Sequence, residues 1–181
     1  MNRLSEVLIS FISILLISIP LLFLTIYISL LYEPLRLFTQ MRIGQYGKPF
    51  AIYKLQTMKN GKVTKTGKIL RRTKIDELPQ LINILKGDMS FVGPRPDLPG
   101  YYDILTGDNR KVLQLKPGLT SLAAIKYRNE EKLLLRQLDP LRYNDEVIFP
   151  DKVKMNLEYV EKRGFIYDIK IILLTFKSLF K

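Results

Sequence analysis

"KIDELPQLINILKGDMSFVGPRP", residues 74–96, sets two acids, Asp76 and Glu77, ahead of a proline, an apolar pattern and an arginine held between Pro94 and Pro96. Leu78, Leu81, Ile82 and Leu85 follow the i, i+3, i+4, i+7 spacing of one helix face. The spacing predicts a helix from Asp76, with Pro79 in its first turn, where amides lack helical partners anyway. Gly87 is placed to end that helix as a C-cap. "VGPRPDLPG" then reads as an extended loop stiffened by its prolines. Ahead of the quoted stretch, the run from Lys59 to Lys74 holds seven basic residues and no acid.

Working outward, "RIGQYGKPF" carries turn residues and joins two expected strands, 38–43 and 50–57. Residues 66–74 form a basic helical stretch, and helical patterns return at 107–115, 128–138 and 150–162. The tail "FIYDIKIILLTFKSLFK" is a basic amphipathic helix. It suits a core-packing terminal helix and a helix lying on a membrane surface about equally well.

The chain has 181 residues, a net charge of +12, and neither Cys nor His. Such a charge favours anionic partners: nucleic acid, acidic lipid head groups or phosphorylated substrates. The missing residue types exclude disulfides, Cys/His zinc sites, thiol nucleophiles and imidazole bases. Acid–base chemistry is left to carboxylates, Lys or Tyr, and any metal to oxygen ligands, which suits Mg²⁺.

From Val7 to Tyr32 no residue is charged, a run of 26. About 20 apolar residues cross a bilayer, so the simplest reading is one transmembrane helix. Pro20 interrupts it, with Ser18 near enough to satisfy a freed carbonyl. Each half is then only about 18 Å long, too short for a core of ~30 Å. The residues alone leave open a kinked spanning helix, narrowly preferred, and a re-entrant hairpin with both ends on one face. In either case Arg36, Arg42, Lys48, Lys54 and Lys59 place the body on the cytoplasmic side.

Acids in a first turn commonly do no more than complement the helix dipole. Side by side they diverge around a helix, so Asp76 and Glu77 can hold two different tasks, one attacking or binding metal and the other moving a proton. Pro94 and Pro96 stiffen the base of Arg95 and present its fork in a form suited to bidentate phosphate binding. Arg71 and Arg72 are the arginines of the basic run, close to the acids, and are the next phosphate ligands. Acids, a hard cation and rigid arginines together meet the needs of phosphoryl transfer, because the cations let an anionic nucleophile approach a diphosphate.

At these residues the chain resembles the monotopic bacterial phosphoglycosyl transferases, also called bacterial sugar transferases. "FTQMRIGQYGKPFAIYKLQTM" is similar to the family's F-x-Q-x-R-x-G-x-x-G-K-x-F-x-x-x-K-F-R-T-M. "RRTKIDELPQLINILKGDMSFVGPRP" resembles its central block almost throughout, and "LKPGLTSLAAIKYRN" is similar to K-P-G-I-T-G-W-A-Q-V-N-G-R-N. The chain departs from these patterns at Leu55-Gln56, which replace Phe-Arg, at Ser121 to Tyr127, and at the membrane break, where Ile19 separates Ser18 from Pro20.

The resemblance implies an α+β, mostly helical membrane-associated domain with a short β-hairpin. Residues 1–34 would form a re-entrant membrane helix broken at Ser18 and Pro20, which reverses the preference for a spanning helix. Residues 35–181 would form a cytoplasmic catalytic domain with membrane-surface amphipathic helices, at the bacterial inner membrane. It also implies that Asp76 attacks the β-phosphate of a nucleotide-diphosphate sugar, with uridine the favoured base. A polyprenyl (undecaprenyl) phosphate then takes the sugar phosphate, starting a surface glycan. Mg²⁺ assists at Asp76, Glu77 is the proton acceptor or its metal-side partner, Arg95 binds phosphate and Arg128 contacts the nucleotide. The partners expected are these two substrates and membrane lipid. The competing reading, a membrane-tethered basic module for acidic lipid or nucleic acid, lacks a groove-reading or stacking motif, and nucleic acid is not expected as a partner.

Overall fold

The computed structural model describes residues 4, 6–8, 10–12 and 36–179. The proposed membrane break at Ser18 and Pro20 lies outside the described residues, and so does most of the expected re-entrant segment. Among the described residues, no helix is long and apolar enough to cross a membrane.

The architecture is α+β. Strands β1 (Leu37–Ile43) and β2 (Pro49–Leu55) pair antiparallel, with Leu37 opposite Leu55 and Ile43 opposite Pro49. Tyr46 and Gly47 adopt positive φ in the connection, so the glycine supplies a conformation that side chains resist. A second hairpin, β3 (Met58–Lys59) with β4 (Lys62–Val63), turns through Asn60 and Gly61, both at positive φ. Asn-Gly is the dipeptide such a turn demands. Strand β5 (Ser90–Val92) pairs parallel with β6 (Gly118–Thr120), an arrangement the sequence pattern does not announce.

The basic helix, Lys65–Thr73, is capped by Thr64, whose hydroxyl accepts the Gly67 amide at 2.9 Å. Gly67 is forced by packing. A Cβ there would stand 2.1 Å from the Thr57 carbonyl oxygen. That close approach lets Thr57 Oγ1 accept from Arg71 Nε at 2.9 Å, fixing an arginine toward the acids. Gly67→Ala is expected to cost about 2 kcal/mol through overpacking. Thermal unfolding of the variant checks this, and an unchanged midpoint would refute the tight contact.

Three apolar clusters hold these pieces together. One joins Ile43 to Tyr102, Val112, Leu113 and Val153. A second joins Ile52 of β2 to Leu81, Ile84 and Met89. The third joins Val92 to Tyr159 and Ile171, which seats the long helices Phe149–Lys162 and Phe165–Leu179 against β5. Asn83 adds a polar clamp between the second cluster's helix and β2. Its side chain donates to Ala51 O at 2.8 Å and accepts from Tyr53 N at 3.2 Å. The clamp fixes the strand immediately before Lys54.

The tail packs on the core, as one of its two readings expects, and the same helix keeps apolar side chains exposed. Ile171 is fully buried, while Phe165, Ile166, Leu173 and Phe176 remain exposed on the same helix.

Candidate active site

The acids do not start a helix. Ile75–Glu77 forms a separate 3-10 turn, and the helix begins only at Gln80 and runs to Lys86. Proline chemistry explains the correction to the expected start. Pro79 has no N–H to give the Ile75 carbonyl, so Leu78 N bonds it instead at 3.2 Å. Lys74, in left-handed conformation with φ 60°, breaks the chain from the basic helix just before the turn. The field at the acids therefore comes from side chains rather than from a helix end.

Both acids are buried, each 7% exposed. Glu77 sits in a cage of three cations. Arg95 Nη2 donates to its Oε1 at 2.6 Å and Nη1 to its Oε2 at 3.4 Å. Lys54 Nζ lies 3.5 Å from Oε1 and Lys74 Nζ 3.8 Å. Burial alone would push the Glu77 carboxyl up, but Arg95, with Lys74 and Lys54, outweighs it and holds the group well below the usual carboxylate range. The fork of Arg95, expected to be free for phosphate, is thus turned onto Glu77.

Asp76 has the opposite environment. Burial pushes its carboxyl up and the Glu77 charge adds to that, while Lys54, Lys74 and Arg71 pull it back only in part. Its Oδ1 is buried with no hydrogen-bond partner. Adjacent acids whose surroundings drive their proton affinities apart are suited to separate roles. As metal ligands they are few. Among the described residues no cluster of three carboxylates forms a metal cage. The orphaned Asp76 oxygen offers one hard ligand, which fits the way Mg²⁺ is commonly held, by one or two carboxylates plus substrate phosphates and water.

A cleft of about 970 Å³ opens beside the turn. Asp76, Glu77, Arg71, Arg72, Arg95 and Arg128 all line it, so every described candidate from the sequence comes to one place. Nine Lys and Arg side chains face three carboxylates there, which leaves a strong excess of positive charge for an anionic ligand. Arg71 is held by Thr57 and by Glu131, the latter at 3.4 Å. Arg128 reaches the Leu179 carbonyl at 3.4 Å, near the end of the terminal helix.

The sequence reading does not single out Lys54, Lys74 or Arg42, although all three line the cleft. A signal for Lys54 was available, because it occupies the lysine of the motif ending Thr57-Met58. Burial, reinforced by Arg95 and opposed by Glu77, lowers its ammonium to about 8. The replacement Leu55-Gln56 also lies on the cleft wall, where the Gln56 amide donates to Met58 O at 2.9 Å.

The whole chain, residues 1–181, matches the sequence model for the bacterial sugar transferases. It is 36% identical over 153 residues to the uncharacterized sugar transferase EpsL of Bacillus subtilis, covering 78% of this chain and 68% of that protein. It is 36% identical over 162 residues to a UDP-glucose:undecaprenyl-phosphate glucose-1-phosphate transferase of Caulobacter vibrioides, covering 79% of this chain and 56% of the relative. The Escherichia coli protein of the same name is 32% identical over 193 residues, covering 97% of this chain and 39% of the relative. The chain thus spans well under two thirds of both glucose-1-phosphate transferases.

Proposed function

The chain belongs to the bacterial sugar transferase family, and from that premise we propose that it moves a sugar 1-phosphate from a nucleotide-diphosphate sugar to polyprenyl phosphate. The observation that carries the reading is Asp76, a buried carboxylate with an unpartnered oxygen, set in a cleft where cations outnumber acids. Relatives named for UDP-glucose and undecaprenyl phosphate support uridine as the base and undecaprenyl phosphate as the acceptor.

In the first step a carboxylate oxygen of Asp76 attacks the β-phosphorus. The bond from that phosphorus to the bridging oxygen breaks, and the nucleoside monophosphate departs with the electron pair. In the second step a phosphate oxygen of the polyprenyl carrier attacks the same phosphorus. The bond to Asp76 breaks, the carboxylate is restored and a polyprenyl diphosphate sugar leaves. Neither step needs a net proton, which suits a site without histidine. Arg71, Arg72, Lys74 and Arg128 hold phosphate charge, and Arg95 is placed by Glu77. Glu77 is held too acidic to take up a proton near neutral pH, so we assign it to positioning the cations. Magnesium, held by Asp76 and substrate oxygens, would neutralise further phosphate charge.

The exposed Phe165, Ile166, Leu173 and Phe176, together with the net charge of +12, support a body resting on the cytoplasmic face of the inner membrane. Incubation with uridine diphosphate sugars and undecaprenyl phosphate tests the proposal. At least one sugar should give UMP and a lipid-linked diphosphate sugar in equal amounts. No UMP from any sugar would overturn it.

Lys54 supplies a pH signature. Below about 8 its ammonium is charged and adds to the phosphate field, and above that it is neutral. The rate constant kcat/KM for the nucleotide sugar should fall about tenfold as pH rises through that value, the worth of one charged hydrogen bond. Lys54→Arg stays charged, so its profile should lose this alkaline limb. An unchanged limb would exclude Lys54 as the titrating group.

A further inference from the structure

Beside the cleft lies a second cavity of about 270 Å³. The two share a wall of cations that includes Lys54, Lys74 and Arg95, but Asp76 lines only the larger one. We infer that the side cavity holds the sugar ring of the donor, and that Ala124 and Tyr127 set which sugar it admits. The inference rests on the two-step transfer proposed above and deepens it.

The first argument is traffic. In a double displacement the monophosphate must leave and a polyprenyl phosphate must take its place before the sugar phosphate is released. Both exchanging groups need an open route to Asp76, which the larger cleft gives. The retained group needs a separate compartment next to the same phosphate-binding wall. The side cavity is less than a third the volume of the cleft, on the scale of one ring rather than a nucleotide.

The second argument is chemistry. The charges on the far wall are already paired. Lys152 meets Glu130 at 2.7 Å, and Asp97 meets Arg42 of the shared wall at 3.6 Å. Paired charges carry little net attraction for another phosphate, yet they offer donors and acceptors together. A sugar hydroxyl, which both donates and accepts, uses both. Tyr127 and Tyr102 also line the cavity, and their hydroxyls are committed outside it. Tyr127 Oη donates to Asp151 at 2.7 Å, and Tyr102 Oη accepts from Asn156 at 2.8 Å. The two side chains therefore contribute apolar ring surface, the usual lining of a small-molecule pocket with a few placed polar groups.

The third argument is specific to this chain. The helix Leu122–Lys126 is capped by Ser121, whose hydroxyl accepts the Ala124 amide at 2.9 Å, and this fixes Ala124 at the cavity. Against the motif that the third segment resembles, Ala124 replaces Gln and Tyr127 replaces Gly. An amide is gone and a ring is added at two lining positions, which shifts the cavity from polar toward apolar. The sugar selected should be one that presents an apolar group there, such as an acetamido methyl.

The test compares wild type and Ala124→Leu on UDP-glucose, UDP-galactose, UDP-N-acetylglucosamine and UDP-N-acetylgalactosamine, with UMP as a product inhibitor. The leucine should cut kcat/KM at least tenfold for the preferred sugar while the inhibition constant of UMP stays within twofold. Ala124→Gln should move the ranking toward the non-acetylated sugars, and it keeps the test decisive if the leucine variant does not fold. A parallel rise in the UMP inhibition constant would put the nucleoside in the cavity and overturn the inference. So would unchanged kcat/KM values with intact folding. Wild type releasing UMP from no sugar would instead overturn the transfer reading, and this inference with it.

Discussion

Asp76→Asn is expected to lower turnover by a factor on the order of 10⁴ or more, the scale seen when a covalent nucleophile is removed. The substitution keeps shape and hydrogen-bonding capacity but deletes the charge that must attack phosphorus. A second readout separates nucleophile from metal ligand. Wild type given nucleotide sugar without polyprenyl phosphate should gain the mass of a sugar phosphate, located by peptide mapping to Asp76, and release one equivalent of UMP. The Asn variant should gain nothing. Because Asp76 is buried with burial and Glu77 both opposing its charge, the variant should fold at least as stably as wild type. Initial rates against both substrates should give the parallel lines of a ping-pong scheme. Intersecting lines with no adduct would leave Asp76 as a metal ligand and remove the double displacement.

How much of this was legible depended on the length of the signal. The first hairpin was readable because turn residues flank strands of seven residues each, and the observed strands match the expected ones within two residues at each end. The second hairpin carries the Asn60-Gly61 signature, but two-residue strands show no alternation and the basic run masks them. Parallel pairing of β5 and β6 joins three-residue segments distant in the chain, which periodicity does not reveal. At the site, the sequence reading named Asp76, Glu77, Arg71, Arg72, Arg95 and Arg128, and all six line one cleft. What it left out was electrostatic ordering within that cleft. Lys54 read as one of several positive residues fixing topology, because its burial depends on the Asn83 clamp of β2. Arg95 read as a free fork because the chain gives no sign that the turn at Ile75–Glu77 aims Glu77 at it. The helix start was misjudged for a local reason, since apolar spacing says where a helix face points but not where its hydrogen bonds begin.

Glu77→Gln should separate structure from chemistry at the same turn. The change removes the anion on which Arg95, Lys54 and Lys74 converge, and leaves three cations facing one another. Breaking a buried ion pair by removing one partner costs about 3–5 kcal/mol. Arg95 and Lys74 are about a third exposed, so water screens part of the repulsion and about 2–3 kcal/mol is expected here. For a chain of this length that lowers Tm by about 5–10 °C. Activity should fall on the order of 100-fold, because an unheld Arg95 fork and a displaced Lys54 no longer meet the phosphate where Asp76 attacks it. Glu77 itself adds no pH dependence to the loss, since it is ionised throughout pH 6 to 8 in wild type, but without its charge the Lys54 ammonium falls further, so the loss should grow as pH rises toward 8. Glu77→Asp keeps the charge and should recover part of the Tm. The double variant Glu77→Gln with Arg95→Gln should also recover part of it by relieving the repulsion, but no activity. If Glu77→Gln instead loses activity with Tm unchanged, the cage contributes nothing to the fold. Glu77 would then have to act on the substrate directly, as the proton acceptor that its burial among cations argues against.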